Sequence, residues 1–297
     1  MTDKKVLGFI GTGVMGSSMA GHLLAAGYEL HIYNRTKERA SKLIEDGAVW
    51  EENPAEIAKK CDVIFTIVGF PKDVESVYLG KNGLVENAKE GAILVDMTTS
   101  SPALARKIER VAKGKGIKVL DAPVSGGDLG AQRGTLTVFV GGDEAVFEEV
   151  KPYFEIMGKT IARLGPAGDG QNAKLANQIA IAGSMTGMCE AMSFAKSCGL
   201  DVALVLELLS GGAANTWSLS NYGPRILKGD FNPGFYVKHY IKDMKLAEEA
   251  AEEMDMELPG LSLARELYEE LADAGMGDLG TQALYSFYDP DGDDGDF

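Results

Sequence analysis

The chain has 297 residues, enough for two domains, and its hydrophobic fraction of 45% is ordinary for a globular protein. A formal net charge of -15 argues against nucleic acid and anionic membrane surfaces as partners. Cys61, Cys189 and Cys198 show no Cys-x-x-Cys spacing and read as buried free thiols of a reducing compartment, so a cytoplasmic location is expected. His22, His31 and His239 lack metal-ligand spacing and read as surface or helix residues, and no metal is expected. The first residues do not read as a basic-plus-apolar leader, so none is expected, and no apolar run is long enough to span a bilayer. The acidic run from Asp289 to Asp296 reads as a solvated, frayed end.

An apolar run at 6–10 leads into Gly11-Thr12-Gly13-Val14-Met15-Gly16, and an amphipathic segment at 17–26 follows. Strand, Gly-x-Gly-x-x-Gly turn and helix in that order form the context of a dinucleotide fingerprint. Gly11 permits the turn, Gly13 lets backbone approach a pyrophosphate, and Gly16 lets the helix lie close on the strand. The free N–H groups and positive dipole end of the helix then face phosphate. Gly also marks ordinary turns, so the motif draws its weight from that context.

Strand and helix signals alternate from there. Residues 28–33 read as a strand and 37–45 as a helix closed by Gly47. Asn53-Pro54 opens another helix, with Asn as cap and Pro in the first turn. The nearly continuous apolar run at 62–68 reads as a buried parallel strand. A helix at 71–78, a strand at 92–96, a helix capped by Ser101-Pro102 and running to Lys113, and a strand at 118–120 come next. Residues 135–140 alternate and end at Gly141-Gly142, and read as an added strand whose direction, parallel or antiparallel, the pattern leaves open. A helix at 144–154 and a strand at 160–164 complete this half. The alternation predicts an α/β, Rossmann-type doubly wound sheet over 1–165.

The texture changes at Gly165-Pro166-Ala167-Gly168-Asp169-Gly170. A long Ala-, Met- and Leu-rich helix is expected over about 168–198, and helices at 202–209, 242–254 and 261–274 follow without strand signals. Residues 166–297 therefore read as an all-α substrate and dimerisation domain, joined to the first by the long helix. The apolar positions of the long helix are most simply core, the aromatic-rich stretches around Trp217 and around Phe235 and Tyr236 also read as core, and two buried faces of the helix would suit a homodimer or homotetramer.

Three later stretches and one strand end bear on chemistry. Where many such folds carry an acidic residue for the ribose 2′-OH, this chain has Asn34-Arg35-Thr36. No carboxylate there repels a 2′-phosphate, Arg35 can pair with it, and the Asn34 amide and Thr36 hydroxyl can donate to it, so NADP(H) is expected over NAD(H). Asp-Ala-Pro-Val-Ser-Gly-Gly at 121–127 follows a strand, at the sheet edge where ligands bind; Ser125 offers a hydroxyl, and Gly126 and Gly127 offer N–H groups to a carboxylate. Lys174 and Asn177 share a face of the apolar long helix. A lysine buried there is a usable proton donor near neutral pH, because burial disfavours its charged form. Lys242-Asp243 opens the 242–254 helix. Taken singly, these are weak signals that read more simply as a glycine-rich turn, a surface lysine and a helical charge pair.

Taken together and in order, the motifs at 8–16, 121–127, 170–177 and 241–243 resemble those of the β-hydroxyacid dehydrogenases of the 6-phosphogluconate dehydrogenase superfamily, over nearly the whole chain. Within that family the chain is most similar to glyoxylate/succinic semialdehyde reductases and tartronate semialdehyde (2-hydroxy-3-oxopropionate) reductases, with 3-hydroxyisobutyrate dehydrogenases close behind. The resemblance implies that Lys174 is the catalytic lysine, that Asn177 holds substrate and orients it, and that Ser125, Gly126 and Gly127 bind the substrate carboxylate. It implies cofactor contacts at Thr99, Val68 and Lys242, with Asp243 in support. The Gly69-Phe70 pair before Pro71 departs from the family's Leu-Pro or Val-Pro and leaves the Val68 contact unplaced. The activity implied is hydride transfer between NADPH and a small hydroxyacid or semialdehyde. A non-catalytic NADP-binding sensor of the same fold would be expected to lack the lysine or the carboxylate turn, and both are present.

Overall fold

Leu7 and Phe9 in the first strand pack into one apolar cluster and Ile10 into another, and the same split divides Val63 and Phe65 from Ile64, and Ile93 and Val95 from Leu94. Successive strand residues point to opposite faces, so near-continuous apolar strands demand helices on both sides of the sheet. The computed structural model describes residues 5–289, and the chain divides into two units, Met1–Lys174 and Leu175–Phe297. Of the predicted acidic tail only Asp289 is described, held by an ion pair with Lys196 at 2.8 Å; the rest lies outside the described residues.

In the first unit nine described strands form one sheet: β1 (Leu7–Ile10), β2 (Leu30–Tyr33), β3 (Val49–Trp50), β4 (Val63–Thr66), β5 (Ile93–Asp96), β6 (Lys118–Asp121), β7 (Val124–Ser125), β8 (Leu136–Gly142) and β9 (Gly158–Gly165). The order is β3-β2-β1-β4-β5-β6-β8-β7, with β9 also paired to β8. The first six run parallel, β8 is antiparallel to β6 and β7, and β9 is parallel to β8. The order reverses at β1 and β4, which opens the crevice where such sheets take ligands. The helices are α1 (Gly16–Ala25), α2 (Ser41–Glu45), α3 (Pro54–Lys60), α4 (Pro71–Leu79), α5 (Leu84–Asn87), α6 (Pro102–Lys113), α7 (Gly127–Arg133) and α8 (Glu144–Met157). Two caps act as their residue types predict: Asn53 accepts the Glu56 N–H and Ser101 the Leu104 N–H. The expected helix at 37–45 divides into a 3-10 turn, Lys37–Ala40, and α2.

The long helix α9 (Asp169–Ser197) passes from the first unit into the second. The second unit is helical, with α10 (Val202–Ser210), α11 (Trp217–Asn221), α12 (Gly223–Ile226), α13 (Val237–Glu252), α14 (Pro259–Leu271) and α15 (Tyr285–Tyr288). Met185, Met188 and Met192 of α9 lie in its core, as the apolar face predicts. The helix expected from Lys242 instead starts at Val237, because Val237, Tyr240, Met244 and Ala247 make one buried stripe at helical spacing. Lys242 is therefore in the second turn rather than at the helix start. Three other expectations are corrected. Cys198 is exposed, while Cys61 and Cys189 are buried. His31 is buried in β2, bonded through Nδ1 to Glu51 at 2.7 Å. Trp217, expected in the core, is 51% exposed.

Candidate active site

The glycine turn follows β1 at the strand-order reversal. A Cβ on Gly11 would overlap the Ile67 carbonyl oxygen, and one on Gly16 would overlap the Gly11 carbonyl. These two glycines draw β1, β4 and α1 into contact, as the fingerprint requires. Gly13 has open space on its Cβ side, and among the described residues no side-chain cap bond closes the start of α1 at Met15. Thr12 Oγ1 is buried and finds no hydrogen-bond partner among the described residues. An open glycine, an uncapped helix start and an orphan hydroxyl fit the pyrophosphate of a dinucleotide. Val14 is exposed and Met15 half-buried beside them.

At the end of β2, Asn34 braces the turn: its Oδ1 accepts the Thr12 N–H at 3.2 Å and its Nδ2 donates to the Thr36 carbonyl at 2.8 Å. Arg35 reaches outward, 88% exposed, with Nη1 3.8 Å from Asp73 Oδ1.

The loops after β4, β5 and β6 are tied to one another. The Val68 N–H donates to Thr98 Oγ1 at 3.0 Å, and the Thr98 N–H donates to Asp96 Oδ1 at 3.0 Å. Thr99 is half-buried between the buried Thr98 and Ser100. Asp96 is fully buried, and desolvation raises its pKa to about 7 against hydrogen bonds from Thr98 and Thr66. After β6, Ser125, Gly126 and Gly127 are half-buried, and the two glycines turn the chain with φ of 128° and 63°. Asp121 accepts the Gly168 N–H at 2.7 Å and the Gln171 N–H at 2.9 Å, and burial pushes its pKa up against those bonds. Lys174 follows on α9, buried at 6% exposure.

In the second unit, Asn177 Nδ2 donates to Gln178 Oε1 at 2.8 Å, and Gln178 Nε2 donates to Asp243 Oδ2 at 2.6 Å. Lys242 Nζ lies 2.7 Å from Asp243 Oδ1, a close ion pair off the hydrogen-bonding line. Tyr240 OH donates to the Gln178 carbonyl at 3.0 Å. Phe235 and Tyr236 are half-buried near this network. The first unit thus bonds Thr12 of the fingerprint to Asn34 and, separately, Val68 to Thr98, and the second joins Asn177 to Asp243 and Lys242 through Gln178. Gln171, Gln178 and Asp121 had no sequence-assigned role. The available signal was polar side chains on an otherwise apolar helix, and a carboxylate heading the 121–127 turn.

Residues 6–165 match the model of the NAD binding domain of 6-phosphogluconate dehydrogenase, and residues 168–288 match that described as NAD-binding of NADP-dependent 3-hydroxyisobutyrate dehydrogenase. The chain belongs to this dehydrogenase family. An uncharacterized oxidoreductase of Bacillus subtilis, YkwC, is 54% identical over 96% of this chain and 99% of its own. The 2-hydroxy-3-oxopropionate reductase of Escherichia coli is 41% identical over 94% of this chain and 95% of its own. A structure of 3-hydroxyisobutyrate dehydrogenase from Mycobacterium tuberculosis with L-serine aligns with a TM-score of 0.86 and 29% identity, covering 95% of this chain and 98% of that one. As a family member the chain is an NAD(P)-binding oxidoreductase of the hydroxyacid dehydrogenase type, acting on a CH–OH group. No described helix is long and apolar enough to cross a membrane.

Proposed function

We propose that the chain is an NADPH-dependent reductase for a small carboxylate-bearing semialdehyde or oxoacid of the 2-hydroxy-3-oxopropionate, glyoxylate or succinic semialdehyde type. Lys174 is its general acid in reduction and its general base in oxidation. The observation that carries this reading is a buried lysine one turn beyond Gln171, whose side chain is bonded to the loop at 98–100. That loop follows β5 at the carboxyl edge of the sheet, on the nicotinamide side by the family resemblance.

When bound, the dinucleotide supplies the hydride. The Ser125 hydroxyl and the Gly126 and Gly127 N–H groups hold the substrate carboxylate and so turn binding energy into alignment. The Lys174 ammonium meets the carbonyl oxygen as charge develops there and gives it a proton; in oxidation the neutral amine takes that proton back. Asn177 and Lys242 are assigned to substrate and cofactor on the family resemblance. The preference for NADPH rests on Arg35 and on the lack of a carboxylate at 34–36. The reading includes a cytoplasmic homodimer or homotetramer. A second reading, 3-hydroxyisobutyrate as substrate, is favoured by the family model matched at 168–288.

The test follows nicotinamide absorbance with glyoxylate, succinic semialdehyde and tartronate semialdehyde, and with 3-hydroxyisobutyrate in the oxidative direction. Turnover of the first group with NADPH is expected, and Lys174→Met is expected to lower kcat by roughly 10²–10⁴-fold while NADPH still binds. A Lys174→Met enzyme with most of its turnover intact would rule out the proton-donor role.

A further inference from the structure

The geometry points to Gln171 as the positioning residue that sets Lys174 against the loop at 98–100. The inference rests on the function proposed above and names the part of the site that aligns its proton donor.

Gln171 is fully buried and has both ends of its amide engaged. Its Oε1 accepts the Ser100 N–H at 2.8 Å, and its Nε2 donates to the Thr98 carbonyl at 2.8 Å. These partners flank Thr99, so one side chain grips the peptide groups on either side of the residue assigned to the nicotinamide. The grip is two-sided and needs a donor and an acceptor in fixed relation, which a primary amide supplies and a carboxylate or an apolar chain does not.

The backbone of Gln171 is held as well. Its N–H donates to Asp121 Oδ2 while the Gly168 N–H donates to Asp121 Oδ1, so one carboxylate fixes the start of α9. Gly170 lies between them with no room for a Cβ against the Asp121 and Phe139 carbonyl oxygens. The first turn of α9 is thus pinned by main chain and side chain to the ends of β5 and β6. Three residues further along a helix is about 4.5 Å of rise on the same face. Lys174 occupies that place, so it inherits its direction from the turn that Gln171 locks. A free lysine side chain samples many rotamers, and fixing its base narrows the search for the reacting oxygen.

The test uses the full-length protein with Gln171→Met and Gln171→Asn. Met fills a similar volume without either hydrogen bond, and Asn keeps the amide on a chain too short to reach both partners. Expected for both is a fall in kcat of about tenfold to a hundredfold. NADPH affinity and substrate KM are expected to stay within about twofold, and the isotope effect with deuterated NADPH to grow as hydride transfer becomes limiting. A purely structural glutamine would lower the melting temperature and leave the kcat and isotope effect of the folded enzyme unchanged, and that result overturns the inference. If the Met variant does not fold, the Asn variant decides alone. Wild-type turnover that is lost in Lys174→Met but retained in both Gln171 variants overturns this inference and spares the function. No turnover in the wild type overturns both.

Discussion

The two units hold their buried aspartates, among the described residues, in opposite ways. In the helical unit Asp243 is 1% exposed and sits against the Lys242 ammonium and the Gln178 amide. In the α/β unit Asp96 and Asp121 face each other in register on β5 and β6, and the groups bonded to them are backbone N–H groups and threonine hydroxyls. The helical unit balances Asp243 with an opposite charge and the α/β unit disperses Asp96 and Asp121 over neutral dipoles, although Glu51 in the same α/β unit is paired with Lys60 at 2.7 Å. A paired charge stabilises only while both members stand, whereas a charge held by dipoles still carries its desolvation cost. Neutralising Asp243 and Asp96 should therefore change stability in opposite directions.

The largest effect belongs to the helical unit. Asp243→Ala leaves Lys242 without its contact ion and Gln178 Nε2 without its acceptor. Breaking a buried pair from one side costs about 3–5 kcal/mol. A clear drop in melting temperature is expected at neutral pH. A variant as stable as the wild type would show that the Lys242–Asp243 contact contributes nothing to the helical core.

Asp96 provides the opposite sign. Its pKa in the fold is raised from 3.8 to about 7, first by burial and then by the Asp121 charge. Between those values the folded chain keeps a proton that the unfolded chain has released. Stability from this group therefore falls as pH rises from about 4 to 7 and is level above that range. Asp96→Asn keeps an acceptor oxygen for the Thr98 N–H and the Thr66 hydroxyl and removes the titration. Relative to the wild type, its melting temperature is expected to climb between pH 5 and pH 8, toward a gain of at most about 4 kcal/mol. Thermal melts of both proteins across that range check it, and parallel curves would mean that Asp96 does not titrate there.

The same contrast explains what could be read from the sequence. The α/β unit is written in local signals: apolar strands of a few residues, Asn53 and Ser101 as helix caps, and a glycine spacing whose reason lies within β1 and α1. The long helix showed itself by composition. The site's fixings were not visible because each joins distant positions. Gln171 meets residues 98 and 100, Asp121 meets 168 and 171, and Gln178 meets Asp243. A glutamine on an apolar helix has no local signature that says which carbonyl it will find. His31 and Trp217 depart from their sequence expectation for the same reason. The Glu51 that accepts His31 lies twenty residues on, and whether a short helix such as α11 turns its tryptophan inward depends on neighbours far along the chain.

The smallest effect tests a charge that neither unit buries. Arg35 stands 88% exposed, with its Nη1 3.8 Å from Asp73 Oδ1. Asp73 is already engaged through Oδ2 by the Phe70 N–H. An exposed pair at that distance contributes about 0–1 kcal/mol, so Arg35 is free in energetic terms to turn toward a phosphate. Arg35→Ala is therefore expected to leave the melting temperature unchanged, unlike the two buried carboxylates. A guanidinium–phosphate bond contributes about 1.5–3 kcal/mol, so the KM for NADPH is expected to rise by at least about tenfold. The KM for NADH, which lacks the 2′-phosphate, is expected to hold. An equal rise for both cofactors would assign Arg35 to the adenine ring they share, and the proposed preference for NADPH would then lose its cation.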